Sequence, residues 1–173
     1  MSFKIGKIRV KAQFVNHPGI CVGYRITTSS GTICFIPDNE SFQRQKREAV
    51  ESTDQHYDSI LEFAKKEDEK LIRFIKNADI LILDSQYDSA EYSSRVGWGH
   101  TCVDDSVALA VRAGVKKLFL FHHDPGHDDN HIDRIEQHAR ELAVKMGSEI
   151  GIEAAREGCV SPIQTSVTAS SHA

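Results

Sequence analysis

The stretch "LFLFHHDPGHDD", residues 118–129, joins an apolar run typical of a strand to a run of side chains that can bind metal. Its four apolar residues lead directly into three histidines and three aspartates, with Pro125 and Gly126 between them. A short, continuous apolar run is typical of a strand that is buried on both faces of a sheet. Polar side chains at the end of such a strand are where α/β proteins place their sites. His122 follows the run directly, so a buried position for it requires a hydrogen-bond partner or a metal.

Four other polar side chains stand at comparable positions in the sequence. They are His17 in the turn "VNHPG", Asp38 in "CFIPDNE" after a β-branched run, Asp84 in "LILDSQY" after a second buried strand, and His100 in "GWGHT" before a helix. Strand ends that meet at one edge of a sheet bring such side chains together, and imidazole nitrogens and carboxylate oxygens are ligands for divalent metals.

Each of these residues also has an ordinary structural interpretation. His17 and Asp38 stand next to prolines, where turn residues are common, and Asp84 can cap the following loop. His100 can be a surface residue beside a helix start.

"HDDNH", residues 127–131, has two histidines at the i, i+4 spacing of a zincin helix. Its second residue is aspartate rather than glutamate, which favours a solvated helix start.

The rest of the sequence predicts one domain over residues 1–165, with a disordered tail at 166–173. We expect three strands first, at residues 4–15, 20–28 and 32–36, then a polar surface loop over 39–56. Helical spacing covers 57–76, a second helix starts with Thr101 as its cap and ends at Gly114, and a third runs from Asp128 or Asp129 to Met146. This order predicts an α/β (α+β) fold, a mixed sheet with helices mainly on one face.

Composition excludes several classes of function. The 173 residues carry a net charge of −4, so we expect no basic face that could grip an extended nucleic acid. No apolar run approaches the length of a membrane span, so we predict no membrane partner. The four cysteines form no C-x-x-C pair and no signal peptide precedes them, which favours reduced thiols and a cytoplasmic location.

Four blocks of sequence, taken in order, resemble the second half of metallo-β-lactamase-fold hydrolases, in particular the ribonuclease Z and phosphodiesterase branch. The blocks are "NHPGICVGYRI" (16–26), "GTICFIPDNE" (31–40), "ADILILDSQY" (78–87) and "GWGHTCVDDSVALAVRAGVKKLFLFHHDP" (97–125). Together they cover roughly residues 8–125. The resemblance implies half of an αββα sandwich.

The resemblance also implies roles for individual residues. His17 is similar to the histidine that completes the first metal site, Asp38 to the aspartate that bridges two metals, and His122 to the last histidine, on the second metal. His100 is similar to the histidine that faces the scissile phosphate and donates a proton to the leaving oxygen. Asp84, His123 and Asp124 are then expected to orient or neighbour the site. The implied metal is Zn²⁺ or Mn²⁺, and no organic cofactor is expected.

The family's H-x-H-x-D-H motif does not occur in this sequence. We therefore expect an incomplete metal site, and two functions stay open. The first is a metal-dependent hydrolase of small phosphodiesters, such as a cyclic nucleotide or a short nucleic acid, with this chain alone active or inactive. The second is a non-catalytic interaction or regulatory module, whose open sheet face a second copy or a partner would cover. A third interpretation, a small α/β nucleotide binder, lacks support from any G-x-G-x-x-G or P-loop motif.

Overall fold

The sheet has seven strands that follow one another in chain order. The structure is a computed structural model, and it describes residues 1–49 and 56–163. The strands are β1 (Ser2–Ile5), β2 (Ile8–Phe14), β3 (Val22–Thr27), β4 (Thr32–Ile36), β5 (Ile80–Asp84), β6 (Lys117–Phe121) and β7 (Gly151–Ala154). β1 to β4 pair antiparallel, whereas β4 to β7 pair parallel. The sheet is therefore mixed, as predicted. The predicted tail at 166–173 lies outside the described residues.

Helices cover one face of this sheet, and an apolar core lies between the two layers. The helices are α1 (Phe42–Ala49), α2 (Tyr57–Ile75), α3 (Ser89–Tyr92), α4 (Val103–Arg112) and α5 (Asp129–Lys145). Leu81, Leu83, Leu118 and Leu120 alternate along β5 and β6, and they belong to one buried cluster with residues of α2, α4 and α5. Side chains of alternate residues share a face, so this cluster places the three helices on the same side. No helix among the described residues has the length and apolar character required to cross a membrane.

The opposite face of the sheet is apolar but only partly covered. The segment after β7 and alternate residues of three strands line an open cleft there. The strand residues are Ile33 and Phe35 of β4, Ile80 and Ile82 of β5, and Phe119 and Phe121 of β6. Phe35 and Phe121 pack edge to face, with ring centroids 5.4 Å apart. The prediction that β5 and β6 are buried on both faces is therefore correct on the helix side, whereas Ile82 and Phe121 remain partly exposed on the other.

Two predicted segments differ from the structure. The strand predicted over residues 4–15 is a hairpin, because Gly6 takes a left-handed φ of 58° and reverses the chain between β1 and β2. The surface loop predicted over 39–56 contains α1, and residues 50–55 lie outside the described part. Asp68, from α2, caps α1 by accepting hydrogen bonds from the amides of Phe42 at 2.9 Å and Gln43 at 3.0 Å. Ser41 also caps the helix locally, since its hydroxyl accepts from the amide of Arg44 at 3.2 Å. The residues of α1 are mostly polar and none is buried, which is why the sequence indicated a loop.

The start of α4 also differs from the prediction. Cys102 is the N-cap residue and makes no side-chain capping bond. Thr101 instead donates its hydroxyl to the carbonyl of Asn39, which ties the start of α4 to the loop after β4. The predicted end of α4 at Gly114, which has a φ of 66°, and the predicted cap of α5 at Asp128 are both confirmed. The sequence analysis did not predict α3 or β7.

Candidate metal centre

Four of the side chains singled out in the sequence meet at one edge of the sheet. The candidate ligand atoms of Asp38, Asp84, His100 and His122 all lie within 4.8 Å of one another. The register explains the meeting, because Ile36 pairs with Leu83 and Leu83 pairs with Leu120, so that β4, β5 and β6 end level. Asp84 is the last residue of β5, His122 follows β6 directly, and Asp38 comes two residues after β4. Parallel pairing thus brings residues that are distant in sequence to one edge.

His122 is held at this edge in an uncommon backbone conformation. Its φ of 63° lies in the left-handed region, which non-glycine residues seldom adopt and which is found preferentially at functional sites. Its Nδ1 lies 2.8 Å from Asp38 Oδ1 and 3.1 Å from the carbonyl oxygen of Pro37. Cys21 donates its thiol to the other oxygen of Asp38 at 3.5 Å. In this left-handed conformation the imidazole of His122 faces the loop that follows β4.

Asp84 is fully buried and forms the inner end of the cluster. Its Oδ2 accepts a hydrogen bond from the amide of Asn39 at 3.0 Å and lies 2.7 Å from Nδ1 of His100. Its Oδ1 accepts from the amides of Gln86 at 3.2 Å and Thr101 at 3.4 Å. Burial raises the pKa of Asp84, while the contact with His100 acts in the opposite direction.

The contact with Asp84 also shifts the pKa of His100. Burial alone would lower the pKa of its ring, but the hydrogen bond to Asp84 and the negative charges of Asp84, Asp38 and Glu40 outweigh burial and raise it. The contact with Asp84 therefore favours the protonated form of this ring. The ring of His100 also packs edge to face on that of His122, with centroids 4.5 Å apart.

His17 lies beside this cluster, next to His100. The two ring centroids are 5.6 Å apart. The amide of Gly19 donates to Nδ1 of His17 at 3.0 Å, so Nε2 is the nitrogen that remains for a metal. Gly99 packs against this ring with a φ of 94°, and a Cβ there would lie 2.5 Å from Cδ2 of His17. A glycine is therefore required before His100 for the two histidines to approach.

The remaining two predicted residues lie outside the cluster. His123 turns its Nε2 to the carbonyl oxygen of Ala155 at 3.2 Å, and burial lowers the pKa of its ring. Asp124 accepts hydrogen bonds from the amide of Gly126 at 2.8 Å and from Gln86 at 3.3 Å. His123 thus anchors the segment after β7, and Asp124 contacts the loop that follows Asp84.

Glu40 is a residue that the sequence analysis did not single out, although it ends the quoted block "GTICFIPDNE". Its carboxylate is buried, with 1% of the residue exposed. It accepts hydrogen bonds from the Tyr92 hydroxyl at 2.5 Å, from the amides of Gly97 at 2.8 Å and Gly99 at 3.0 Å, and from Gln45 at 3.1 Å. Two of these donors belong to the loop that leads into His100. Glu40 therefore sets the position of that loop.

An aromatic and cationic rim lies on the same loop. Trp98 is 59% exposed, although it is a large apolar side chain. The guanidinium of Arg95 lies 5.0 Å from the centroid of its ring and 5.2 Å from that of Tyr87. The ring of Tyr87 lies in turn 6.2 Å from that of His100. The rim thus places a positive charge and an exposed indole beside the cluster.

The donor set of the cluster fits a divalent metal. Two carboxylates and two imidazoles offer hard and borderline ligands, the set that Zn²⁺ and Mn²⁺ accept. Asp38 and His122 face each other and are partly exposed, so an ion could enter between them. Asp84 holds one nitrogen of His100, as carboxylates hold histidines around metal centres. The residues of this cluster therefore fit a divalent metal and supply part of its ligands.

Comparison with known proteins adds sequence relatives. No protein-family model matches the chain. A ribonuclease Z of Picrophilus torridus is 34% identical over 59 residues, which are 34% of this chain and 19% of that protein. A ribonuclease Z of Sulfurisphaera tokodaii is 36% identical over 63 residues, which are 36% of this chain and 21% of that protein. The similarity in sequence therefore covers about a fifth of each relative.

Solved structures resemble the whole described fold. The metallo-β-lactamase fold protein YhfI of Bacillus subtilis superposes with a TM-score of 0.64 at 18% identity, over 92% of this chain and 51% of that one. The short form of human tRNase Z superposes with a TM-score of 0.56 at 15% identity, over 94% of this chain and 46% of that one. A diphosphatase of the PhnP family superposes with a TM-score of 0.54 at 16% identity, over 91% of this chain and 44% of that one. The chain spans about half the length of these structures, and at such identities the likeness establishes the fold.

Substitution of Glu40 tests its role in holding the loop before His100. Glu40→Gln replaces an acceptor oxygen with an NH₂ group that faces hydrogen-bond donors. We expect the free energy of unfolding, measured in urea, to fall by about 1–3 kcal/mol, because a buried donor is left unpaired. Amide hydrogens of residues 97–100 should exchange faster.

Glu62→Gln is the matched control, since Glu62 lies on the outer face of α2 with its side chain 60% exposed. It should change stability by less than about 0.5 kcal/mol. Equal stability and equal exchange in the two variants would show that Glu40 does not hold the loop.

Proposed function

We propose that this chain, which carries part of the metallo-β-lactamase fold and belongs to that superfamily, supplies metal ligands and a proton donor for hydrolysis of a small phosphodiester. The observation that carries the proposal is the meeting of Asp38, Asp84, His100 and His122 at one edge of the sheet. Sequence similarity to two archaeal ribonucleases Z supports a hydrolase. The substrate class goes beyond these comparisons and rests on the residues around the cluster.

Asp38, His122 and His17 are the residues we assign to metal binding. Asp38 Oδ1 and His122 Nδ1 already face each other at 2.8 Å, a contact that an ion would replace. A bound Zn²⁺ or Mn²⁺ lowers the pKa of a water molecule and neutralises charge on phosphate oxygens. These three residues leave the coordination of an ion unfilled, so further ligands would have to come from water, substrate or another chain.

His100 is the residue we assign to proton transfer. Asp84 occupies Nδ1 of the ring, so Nε2 is the nitrogen that can give a proton to the leaving oxygen of the substrate. The same contact raises the pKa of His100, which keeps the ring protonated nearer to neutral pH. A donor with a pKa close to the working pH is the most effective general acid.

The rim beside His100 supports a small substrate that carries a phosphate and an aromatic group. Arg95 offers a guanidinium for phosphate oxygens, and the exposed indole of Trp98 offers a surface on which a base can stack. The net charge of −4 does not favour a long nucleic acid. A cyclic nucleotide or a short oligonucleotide therefore fits this rim best.

Free thiols support the proposal of a cytoplasmic protein. Cys21, Cys34, Cys102 and Cys159 are all unpaired in the structure. Burial raises the pKa of Cys34 to about 11, which keeps that thiol protonated and unreactive. A reducing compartment suits four unpaired thiols.

The open apolar face of the sheet favours a second candidate function, a non-catalytic interaction or regulatory module. Side chains of β4, β5 and β6 remain partly exposed on this face, including Phe35, Ile82 and Phe121. Contiguous apolar surface of this kind is found where proteins associate. A second copy of the chain, or a partner, would then cover it.

Metal removal and a single substitution test the hydrolase. With Mn²⁺ or Zn²⁺ added, we expect turnover of bis(p-nitrophenyl) phosphate that EDTA abolishes. His100→Ala should lower the rate by about 10²–10⁴-fold, because the leaving oxygen loses its proton donor, while metal binding by calorimetry is retained. His138→Ala, at a surface histidine on α5, should leave the rate unchanged.

Turnover that ignores both EDTA and His100→Ala would exclude this mechanism. Metal binding without any turnover would favour the non-catalytic module instead.

Sedimentation velocity tests whether the open face is covered. We expect concentration-dependent association that Ile82→Glu weakens, because a charge in the middle of β5 would have to be desolvated on that face. Val144→Glu, at an exposed position on α5, should leave association unchanged. A chain that stays monomeric at every concentration, with an ordered native spectrum, would contradict coverage by a second copy.

A further inference from the structure

A second group of metal-ligand side chains lies outside the centre described above and shares no residue with it. The candidate ligand atoms of Glu91, His127 and His131 all lie within 4.8 Å of one another. Glu91 belongs to α3, whereas His127 and His131 flank the start of α5. We propose that these three residues, with Asp88 as a fourth ligand, form a structural site for a borderline divalent cation of the Zn²⁺ class.

The two histidines lie directly against each other. Their rings stack face to face with centroids 3.8 Å apart and an interplanar angle of 7°. The side chain of His127 is only 4% exposed, and its Nε2 lies 2.8 Å from Glu91 Oε1. Nδ1 of the same ring is buried and has no hydrogen-bond partner among the described residues. Contacts within the protein therefore leave one nitrogen of this buried imidazole unpaired, a cost that calls for an explanation.

The two carboxylates are fixed in place by a capping box at the start of α3. Asp88 Oδ1 accepts hydrogen bonds from the amides of Ala90 at 2.8 Å and Glu91 at 2.9 Å. Glu91 Oε2 accepts in return from the amide of Asp88 at 3.1 Å. Each carboxylate thus uses one oxygen for the cap and turns the other to a histidine, because Asp88 Oδ2 lies 3.8 Å from Nε2 of His131. Ligands whose other atoms are already bonded lose little freedom when a metal binds.

The local charge also favours a cation. Within residues 1–49 and 56–163, no ion pair links Asp88 or Glu91 to a lysine or an arginine, and both pair with histidines instead. A divalent ion would match the charge of these two carboxylates.

The donor set indicates the kind of metal and its role. Two imidazoles and two carboxylates make four ligands, the number that a closed structural Zn²⁺ site takes. Ligands of one tetrahedral ion lie roughly 3–3.5 Å apart, and the two stacked rings would have to tilt for a nitrogen of each to point at the same ion. An ion there would join α3 to the start of α5, and so hold together the loops that follow β5 and β6. The glutamate comes from a distant helix, which is why "HDDNH" alone does not match a zincin motif.

Zinc binding by four forms of the full chain tests this site independently of the proposed function. The forms are the wild type, His122→Ala, His131→Ala and the double variant, compared by calorimetry and by zinc content after dialysis. His131→Ala should remove one zinc per chain, or weaken its binding by at least about 10–100-fold, in both backgrounds. Zinc bound at the first centre, around Asp38 and His122, should be lost only with His122→Ala. The effect of His131→Ala therefore tests the second site even if the proposed function is wrong.

Two further measurements keep the test decisive. Zinc should raise the thermal unfolding midpoint of His122→Ala but not that of the double variant, and Glu91→Gln should act like His131→Ala. His138→Ala is the control, because it removes an exposed α5 histidine that pairs with Asp104 outside the site. Equal zinc content in His122→Ala and the double variant, with both folded by circular dichroism, would overturn the proposal.

Discussion

The buried carboxylate of Asp84 is the group on which the arrangement of the candidate metal centre depends. A carboxylate without exposure to water is tolerated only where hydrogen bonds replace its hydration. Asp84 obtains them from the amides of Asn39, Gln86 and Thr101 and from the ring of His100. These donors belong to the loop after β4, the loop after β5 and the start of α4. Satisfying one buried acid therefore fixes three segments relative to one another.

Glu40 extends the same principle to the loop that carries Trp98 and His100. It is a second buried acid, and it binds two amides of that loop together with the hydroxyl of Tyr92. Asp84 ends β5 and Glu40 lies four residues after β4, and these two strands are neighbours in the parallel part of the sheet. A group that transfers a proton must be held in position, and here the loop that presents it is held at both of its ends.

The sequence predicted the parts of the fold that depend on local pattern. Apolar runs that end in a charged or imidazole side chain indicated β4, β5 and β6, and with them Asp38, Asp84 and His122. Helix α1 was missed because its residues are almost all polar and none of them is buried, so the sequence shows no apolar helical spacing there. Glu40 was missed because three of its four hydrogen-bond donors follow more than fifty residues later, which no local pattern reveals.

The histidine-rich stretch shows the same limit at a finer scale. His122 was predicted as a site residue from its position after a buried strand, and the structure brings it to the edge where Asp38 and Asp84 lie. "HDDNH" was interpreted as a solvated helix start, because its own residues lack the glutamate of a zincin. Only the fold brings Glu91 and Asp88 beside these histidines. The stretch 118–129, which starts within β6, thus contributes His122 to one cluster and His127 to the other.

Anomalous diffraction at the zinc edge, from crystals grown with Zn²⁺, tests the central claim most directly. We expect a peak at the edge of β4, β5 and β6, within about 2.5 Å of a carboxylate oxygen of Asp38 and a nitrogen of His122, on the side that faces His17. Peaks elsewhere on the chain, with none between Asp38 and His122, would contradict the assignment of this cluster as a metal centre.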